Sequence, residues 1–125
     1  FGPIGTEAIR ALELLKDKGI SADLYDMIWA KPLDTGIIDS IAAADKAIVT
    51  IEDGALEGGF GSAVAEYLAE KGSRVPVRRL GVPDRWVMHG SVSQLREECG
   101  IDAAAIVRAV EAFAGLSGTD EKKKA

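Results

Sequence analysis

The strongest hydrophobic pattern lies in the middle of the chain. Residues 47–51 form an uninterrupted apolar-rich run that ends in Glu52 and Asp53, and a glycine-rich stretch follows. Beyond it, apolar residues return at helical spacing, at Val64 and Leu68. An unbroken apolar run of this length is typical of a strand buried on both faces of a parallel sheet. The pattern therefore predicts a central strand that turns tightly into a helix.

The rest of the chain alternates helical and strand patterns. Strands are predicted over 20–28 and 75–80, and Pro76 places the second at a sheet edge. Helices are predicted after the first turn, after Asp34 or Thr35, over 91–99 with Ser91 and Gln94 as a capping box, and from Asp102 to Gly115. This alternation predicts an α/β fold with a mainly parallel sheet between two helical layers, a three-layer α/β/α arrangement.

The first five residues read as a turn of the kind that normally follows a strand. We therefore expect a central strand to precede residue 1, and the chain to be a piece of a longer polypeptide. We also expect one compact domain over 1–116 and a charged flexible tail over 117–125, since the tail is too polar to pack.

Composition narrows the functional classes. The chain has 125 residues and a formal net charge of −5, which disfavours nucleic acid or an anionic membrane as a partner. No apolar run approaches the roughly 20 residues of a membrane span, and no signal-peptide pattern opens the chain, so we expect a cytoplasmic protein. One Cys and one His are too few for a typical zinc site.

The glycine loop allows two interpretations. Gly58, Gly59 and Gly61 make this loop glycine-rich. Gly59, Gly61 and Ser62 stand just before a predicted helix, where free N–H groups could hold a phosphate. Their spacing matches no phosphate-binding fingerprint, and the nearby acids would repel an anion. We therefore favour close packing against a helix or a second subunit over a phosphate site.

Five charged or titratable residues near the predicted strand ends are further candidates. Glu52 and Asp53 occupy the carboxyl end of the strand, where α/β folds usually build functional sites. They could also cap the glycine-loop amides, and we favour this structural role. His89 is a candidate general acid or base, although a role in pinning its loop by hydrogen bonds is favoured. Asp84 and Arg85 are predicted to form an ion pair, with anion binding by Arg85 as the alternative.

Segments in four regions of the chain, in one order and at matching spacing, resemble the C-terminal domain of the 1-deoxy-D-xylulose-5-phosphate synthase family, which is transketolase-like. These segments are Lys31-Pro32-Leu33-Asp34, Val49-Thr50-Ile51-Glu52-Asp53-Gly54, Gly58-Gly59-Phe60-Gly61-Ser62, and Leu80-Gly81-Val82-Pro83-Asp84-Arg85 with His89-Gly90. The resemblance covers residues 1 to about 116.

The resemblance implies a transferase that uses thiamin diphosphate and Mg²⁺ to join a two-carbon fragment of pyruvate to glyceraldehyde 3-phosphate. The product feeds isoprenoid and thiamin biosynthesis. In such enzymes the cofactor and the metal are bound by the N-terminal and middle domains, whose motifs are absent from this sequence. The resemblance thus implies a homodimer in which this segment has a structural role, with no catalytic, cofactor-binding or metal-binding residue of its own.

Two other functions remain open from the sequence. The chain could be a free-standing module that binds a small ligand or a nucleotide through the glycine loop. It could also be the equivalent domain of a transketolase or of a 2-oxo acid dehydrogenase beta subunit.

Overall fold

A computed structural model describes the backbone of residues 1–123 and the side chains of residues 1–115. This part of the chain contains five helices and two strands. In order, they are α1 (Gly5–Asp17), α2 (Thr35–Ala43), β1 (Ile48–Ala55), α3 (Phe60–Glu70), β2 (Val77–Val82), α4 (Val92–Cys99) and α5 (Ala103–Lys123).

The two strands pair in parallel, as the alternating pattern predicts. Ile48 lies opposite Val77 and Ile51 opposite Leu80, with an irregularity in the register between Ile51 and Ala55. The strand predicted over 47–51 is confirmed as β1, which extends through the acidic pair to Ala55, while its central position stays a prediction because the sheet of the described residues has two strands.

Helices cover both faces of this small sheet, so the predicted three-layer α/β/α class is confirmed. On one face α1 packs against α5, with Ala11 and Leu15 in the core and Ile51 of β1 beneath them. On the other face α2 and α3 enclose a second apolar cluster, which includes Ile38 and Val64. The sheet is thus buried between two separate hydrophobic clusters.

Side-chain caps begin three of the helices at the positions predicted from the sequence. The Asp34 carboxylate accepts a hydrogen bond from the amide of Ile37, and that of Asp102 from the amide of Ala105. Ser91 and Gln94 form a complete capping box at the start of α4. These contacts satisfy N–H groups that lack a partner inside the helix.

The strand predicted over 20–28 is wrong, because these residues have no regular secondary structure. A strand requires backbone hydrogen bonds to a neighbour, and among the described residues none joins 21–28 to another strand. The segment is held instead by an ion pair of 2.8 Å between Asp23 and Lys46. The hydrogen bond and the charge of Asp23 raise the pKa of Lys46 above its ordinary value.

The predicted end of the last helix at Gly115 is also wrong, since α5 continues to Lys123. A single glycine costs a helix only about 1 kcal/mol relative to alanine, which does not by itself end it. The side chains of 116–125 lie outside those that the structure describes, so the flexible tail over 117–125 stays a prediction.

Across residues 1–123, none of the helices combines the length and the hydrophobicity that a membrane crossing needs.

Candidate functional site

The connection from β1 to α3 is built around Glu52. Its side chain is only 3% exposed, and its two carboxylate oxygens accept hydrogen bonds from the amides of Phe60 at 2.8 Å and Gly61 at 2.9 Å. Both amides belong to the first turn of α3, where the positive end of the helix dipole favours a negative charge. Glu52 therefore caps α3 from inside the protein.

Close contacts around Glu52 leave no room for larger residues in the loop. A Cβ atom added at Gly59 would overlap the carbonyl oxygen of Ala55 and the Glu52 carboxylate. A Cβ at Gly61 would overlap the hydroxyl of Thr50 and lie 3.2 Å from Cγ of Arg79. Gly58 instead has a φ of +73°, a conformation that glycine adopts readily. The three glycines thus serve close approach and turn geometry within the domain.

Arg79 on β2 and Ser62 on α3 hold the loop from the other side. The Arg79 guanidinium donates to the carbonyl oxygen of Leu56 at 2.9 Å and to the Ser62 hydroxyl at 2.6 Å. The same hydroxyl accepts from the amide of Gly58 at 3.0 Å. Sequence reasoning considered Ser62 only as part of a phosphate cradle and missed the role of Arg79, although the parallel register places Arg79 opposite Thr50.

This arrangement does not fit a phosphate, a diphosphate or a metal ion. The Phe60 and Gly61 amides are engaged by Glu52, and its negative charge stands where a bound anion would have to lie. Within the described part of the chain, no three acidic, histidine or cysteine side chains come together in an arrangement that could hold a metal ion. No step of a reaction is therefore assigned to this loop.

Asp53 turns away from Glu52 and joins a charged network. One carboxylate oxygen lies 3.0 Å from the Arg96 guanidinium, which also lies 3.5 Å from Glu7. Glu7 in turn accepts a hydrogen bond from the amide of Ala103 at the start of α5. Asp53 thus ties the end of β1 to α1, α4 and α5 rather than capping the glycine loop.

The predicted ion pair between Asp84 and Arg85 is wrong. Arg85 pairs with Glu98 of α4, at 3.0 Å from its carboxylate and 2.9 Å from its carbonyl oxygen. Adjacent side chains on an irregular loop point in different directions, whereas the end of α4 presents two acceptors to one guanidinium. Asp84, Arg85 and Asp53 still line one open depression beyond the ends of β1 and β2.

His89 lies apart from these residues. Its side chain is exposed and forms no hydrogen bond or ion pair with the part of the chain that the structure describes. The favoured interpretation, that His89 pins its loop by hydrogen bonds, is therefore wrong within this domain. Its neighbours Trp86 and Met88 are 92% and 74% exposed. The loop 83–90 therefore presents apolar side chains to its surroundings, beside the exposed His89.

Comparison with known proteins identifies the family of this fold. The family described as "Transketolase, C-terminal domain" matches residues 1–106. A solved structure described as "Split gene transketolase, inactive beta4 tetramer" superposes with a TM-score of 0.77 at 34% identity, covering 90% of this chain and 35% of that one. The chain therefore belongs to the transketolase C-terminal domain family.

Curated relatives narrow the class to one kind of enzyme. The chain is 44% identical over 108 residues to the 1-deoxy-D-xylulose-5-phosphate synthase of Parabacteroides distasonis, covering 86% of this chain. It is 43% identical over 111 residues to the enzyme of the same name from Porphyromonas gingivalis, covering 89%. The resemblance to this synthase family is thus confirmed. The chain spans only 17% and 18% of the lengths of these two relatives.

Proposed function

We propose that this chain is the C-terminal domain of a thiamin-diphosphate-dependent 1-deoxy-D-xylulose-5-phosphate synthase and that it has a structural role in that enzyme. The whole enzyme joins pyruvate and glyceraldehyde 3-phosphate to give 1-deoxy-D-xylulose 5-phosphate and CO₂. Its cofactor and Mg²⁺ are bound by the N-terminal and middle domains. The synthase is a cytoplasmic homodimer, and this domain braces its cofactor-binding parts.

The internal cap by Glu52 is the observation that carries the structural role. In an α/β fold, the N-terminus of a helix after a central strand is the first place to expect an anionic cofactor. Here the cap occupies that position, and Gly59 and Gly61 are packed against it. The domain therefore contributes shape and surface to the enzyme, while catalytic groups come from elsewhere.

The exposed loop 83–90 supports a contact with another part of the assembly. Trp86 and Met88 together present a large apolar area, and such residues are enriched at the centres of protein interfaces. The connection from β1 to α3 then stabilises the domain from inside, through Glu52, Asp53, Gly58, Gly59 and Gly61. Three further residues lie on the contacting loop, namely Asp84, Arg85 and His89.

The proposed reaction is tested with the full-length protein. We expect CO₂ release from pyruvate that depends on glyceraldehyde 3-phosphate, thiamin diphosphate and Mg²⁺, with formation of the deoxy sugar phosphate. Ketol transfer from xylulose 5-phosphate to ribose 5-phosphate, without pyruvate consumption, would instead identify a transketolase.

The structural role is tested by Gly59→Val in the same full-length protein. The added side chain should overlap the Ala55 carbonyl and the Glu52 carboxylate, at a cost of about 1–3 kcal/mol in stability. We expect a lower melting temperature or a shift from dimer to monomer, with unchanged thiamin diphosphate affinity per folded active site. Gly115→Val is the matched control, because a Cβ at Gly115 meets no atom within 4 Å.

The opposite result would reveal a ligand-binding loop. A loss of thiamin diphosphate affinity with an unchanged melting temperature and dimer would mean that the loop contacts the cofactor. Calorimetric titration of the 125-residue chain with a nucleotide or phosphate compound adds a second check. Saturable binding that Gly59→Val abolishes would support a free-standing binding module.

A further inference from the structure

Residues 83–100, which we call the strap, lie outside both hydrophobic clusters of the domain. The strap consists of the exposed loop 83–90, all of α4 and the residues that flank the helix, and none of them is buried. None belongs to either cluster, although Leu95 and Cys99 are half-buried. Burial of apolar surface, which is the dominant force that holds a domain together, therefore does little to keep the strap in place.

The backbone of the strap is also independent of the rest of the domain. Within the described residues, a single backbone hydrogen bond joins it to a residue outside, from the amide of Ile101 to the carbonyl oxygen of Arg96. The ends of α4 are completed from within, by the capping box of Ser91 and Gln94 and by Gly100 at a φ of +69°. Moving the strap away would thus break no strand pairing and no cap of another helix.

Both ends of the strap are anchored, so it can move only as a flap between two fixed points. On one side, the carbonyl oxygen of Val82, the last residue of β2, accepts a hydrogen bond of 2.8 Å from the amide of Leu56. On the other side, Ile101 is only 2% exposed and Asp102 caps α5. Movement of residues 83–100 leaves these anchors intact.

Arg96 is the link between the strap and the body of the domain. Its guanidinium lies 3.0 Å from the carboxylate of Asp53 on β1 and 3.5 Å from that of Glu7 on α1. No other side chain of the strap forms a hydrogen bond or ion pair with the body within the part of the chain that the structure describes. The Nε atom of Arg96 is buried there without a partner, which reduces the net stability of this attachment.

The second ion pair of α4 lies within the strap itself. Arg85 of the loop contacts the carboxylate of Glu98 at 3.0 Å and its carbonyl oxygen at 2.9 Å. This contact fastens the loop to α4 and does not fasten either of them to the body. Trp86 and Met88 therefore move together with α4.

We propose that the strap is a separately opening unit, hinged next to Val82 and Ile101 and held shut by the ion pairs of Arg96, so that ionic strength controls its position. Dissolved salt weakens attraction between charges, as the screening length falls from about 30 Å at 0.01 M to about 3 Å at 1 M. Salt does not weaken the apolar clusters in the same way. Salt should therefore release the strap while the rest of the domain stays folded.

Opening would change what the domain presents to its surroundings. It would uncover the depression beyond the ends of β1 and β2, which Asp53, Val82 and Arg85 line together. It would also free the loop that carries Trp86 and Met88 from a fixed orientation. An isolated helix as short as α4 is unstable in water, so its amides would exchange with solvent in the open state. The inference concerns this motion alone and does not depend on the proposed enzyme activity.

Hydrogen exchange followed by mass spectrometry tests the inference on the dilute 125-residue chain. Exchange of a peptide from the strap, 91–100, is compared with that of a peptide from α3, 60–70, in about 10 mM and about 1 M NaCl. Arg96→Met removes the link to the body. Arg10→Met is the matched control, because Arg10 also lies 3.5 Å from the Glu7 carboxylate but belongs to α1.

We expect the strap peptide of the parent chain to exchange about threefold faster or more in the higher salt, while the α3 peptide changes little. Arg96→Met should speed exchange of the strap by about tenfold in low salt and remove most of its salt dependence, whereas Arg10→Met should change neither. Equal salt dependence of the two peptides would overturn the inference. Faster exchange of both peptides in Arg96→Met would also overturn it, since the strap would then open only when the whole domain unfolds.

Discussion

Glu52 is a buried carboxylate near the end of β1, a position that sequence reasoning associates with a functional site or, as favoured above, with capping of the loop amides. Its two short hydrogen bonds to the first turn of α3 decide between these roles for the residues described here. A carboxylate with both oxygens engaged by backbone amides has little freedom to accept a proton from a substrate. At this residue, burial and two hydrogen bonds to backbone amides stabilise the loop.

Glu52→Gln tests this role with nearly the same side-chain volume. The amide group can accept from only one of the two N–H donors and turns its own NH₂ toward the other, so we expect a loss of about 1–3 kcal/mol in the free energy of unfolding. Chemical denaturation of the 125-residue chain measures it. Glu57→Gln, on an exposed residue of the same loop, is the control. Equal losses in the two variants would contradict the capping role.

The residue-level predictions succeeded where the partner is close in sequence. The caps at Asp34, Ser91 and Asp102 involve partners three residues away, so helix geometry makes them predictable. Arg85 pairs with a residue 13 positions away, and Arg79 with Leu56, which is 23 positions away. Such partners depend on how whole elements pack, which local patterns do not specify.

At the scale of elements, α4 is attached to the rest of the domain mainly through charges, because the helix contains no buried residue. Arg96 joins it to Asp53 on β1 and Glu7 on α1, and the Arg96 side chain is only 16% exposed. Glu98 joins it to Arg85, where the two side chains are 48% and 38% exposed. The first attachment is shielded from water and the second is not.

Replacing each arginine by methionine should therefore have unequal effects. We expect Arg96→Met to lower the free energy of unfolding by about 1–3 kcal/mol, since it leaves two carboxylates without their shared cation in a partly buried place. Arg85→Met should cost about 1 kcal/mol or less, as for exposed ion pairs. Urea denaturation of both variants and the parent chain checks the order. A larger loss for Arg85→Met would show that α4 is held chiefly from the outer side.

Element-level prediction from the sequence was strongest where hydrophobic spacing and caps agreed. The central strand, the edge strand and the five helices all appear in the predicted order. The segment 20–28 differs from its predicted structure, because a strand pattern forms a strand only when a neighbouring strand offers backbone hydrogen-bond partners. The end of α5 differs for another reason, since Gly115 weakens a helix without stopping it.

At the scale of the whole molecule, an open sheet edge between two apolar layers should promote self-association. The free edge of β1 and the apolar side chains around it offer a surface for a strand from another copy. We expect sedimentation velocity of the 125-residue chain to show dimers or larger species that increase with concentration. A single monomeric species of this chain at all concentrations would contradict this expectation.

The exposure of both tryptophans has a spectroscopic consequence. Trp29 is 67% exposed and Trp86 is 92% exposed, so both indole rings already meet solvent in the folded domain. Intrinsic fluorescence of the separate domain should resemble that of tryptophan in water and change little when urea unfolds the chain. A blue shift of the emission on joining the rest of the enzyme would then report burial of one or both of these tryptophans at an interface, independently of folding. The two tryptophans, whose emission changes little on unfolding, would thus provide an optical signal for assembly.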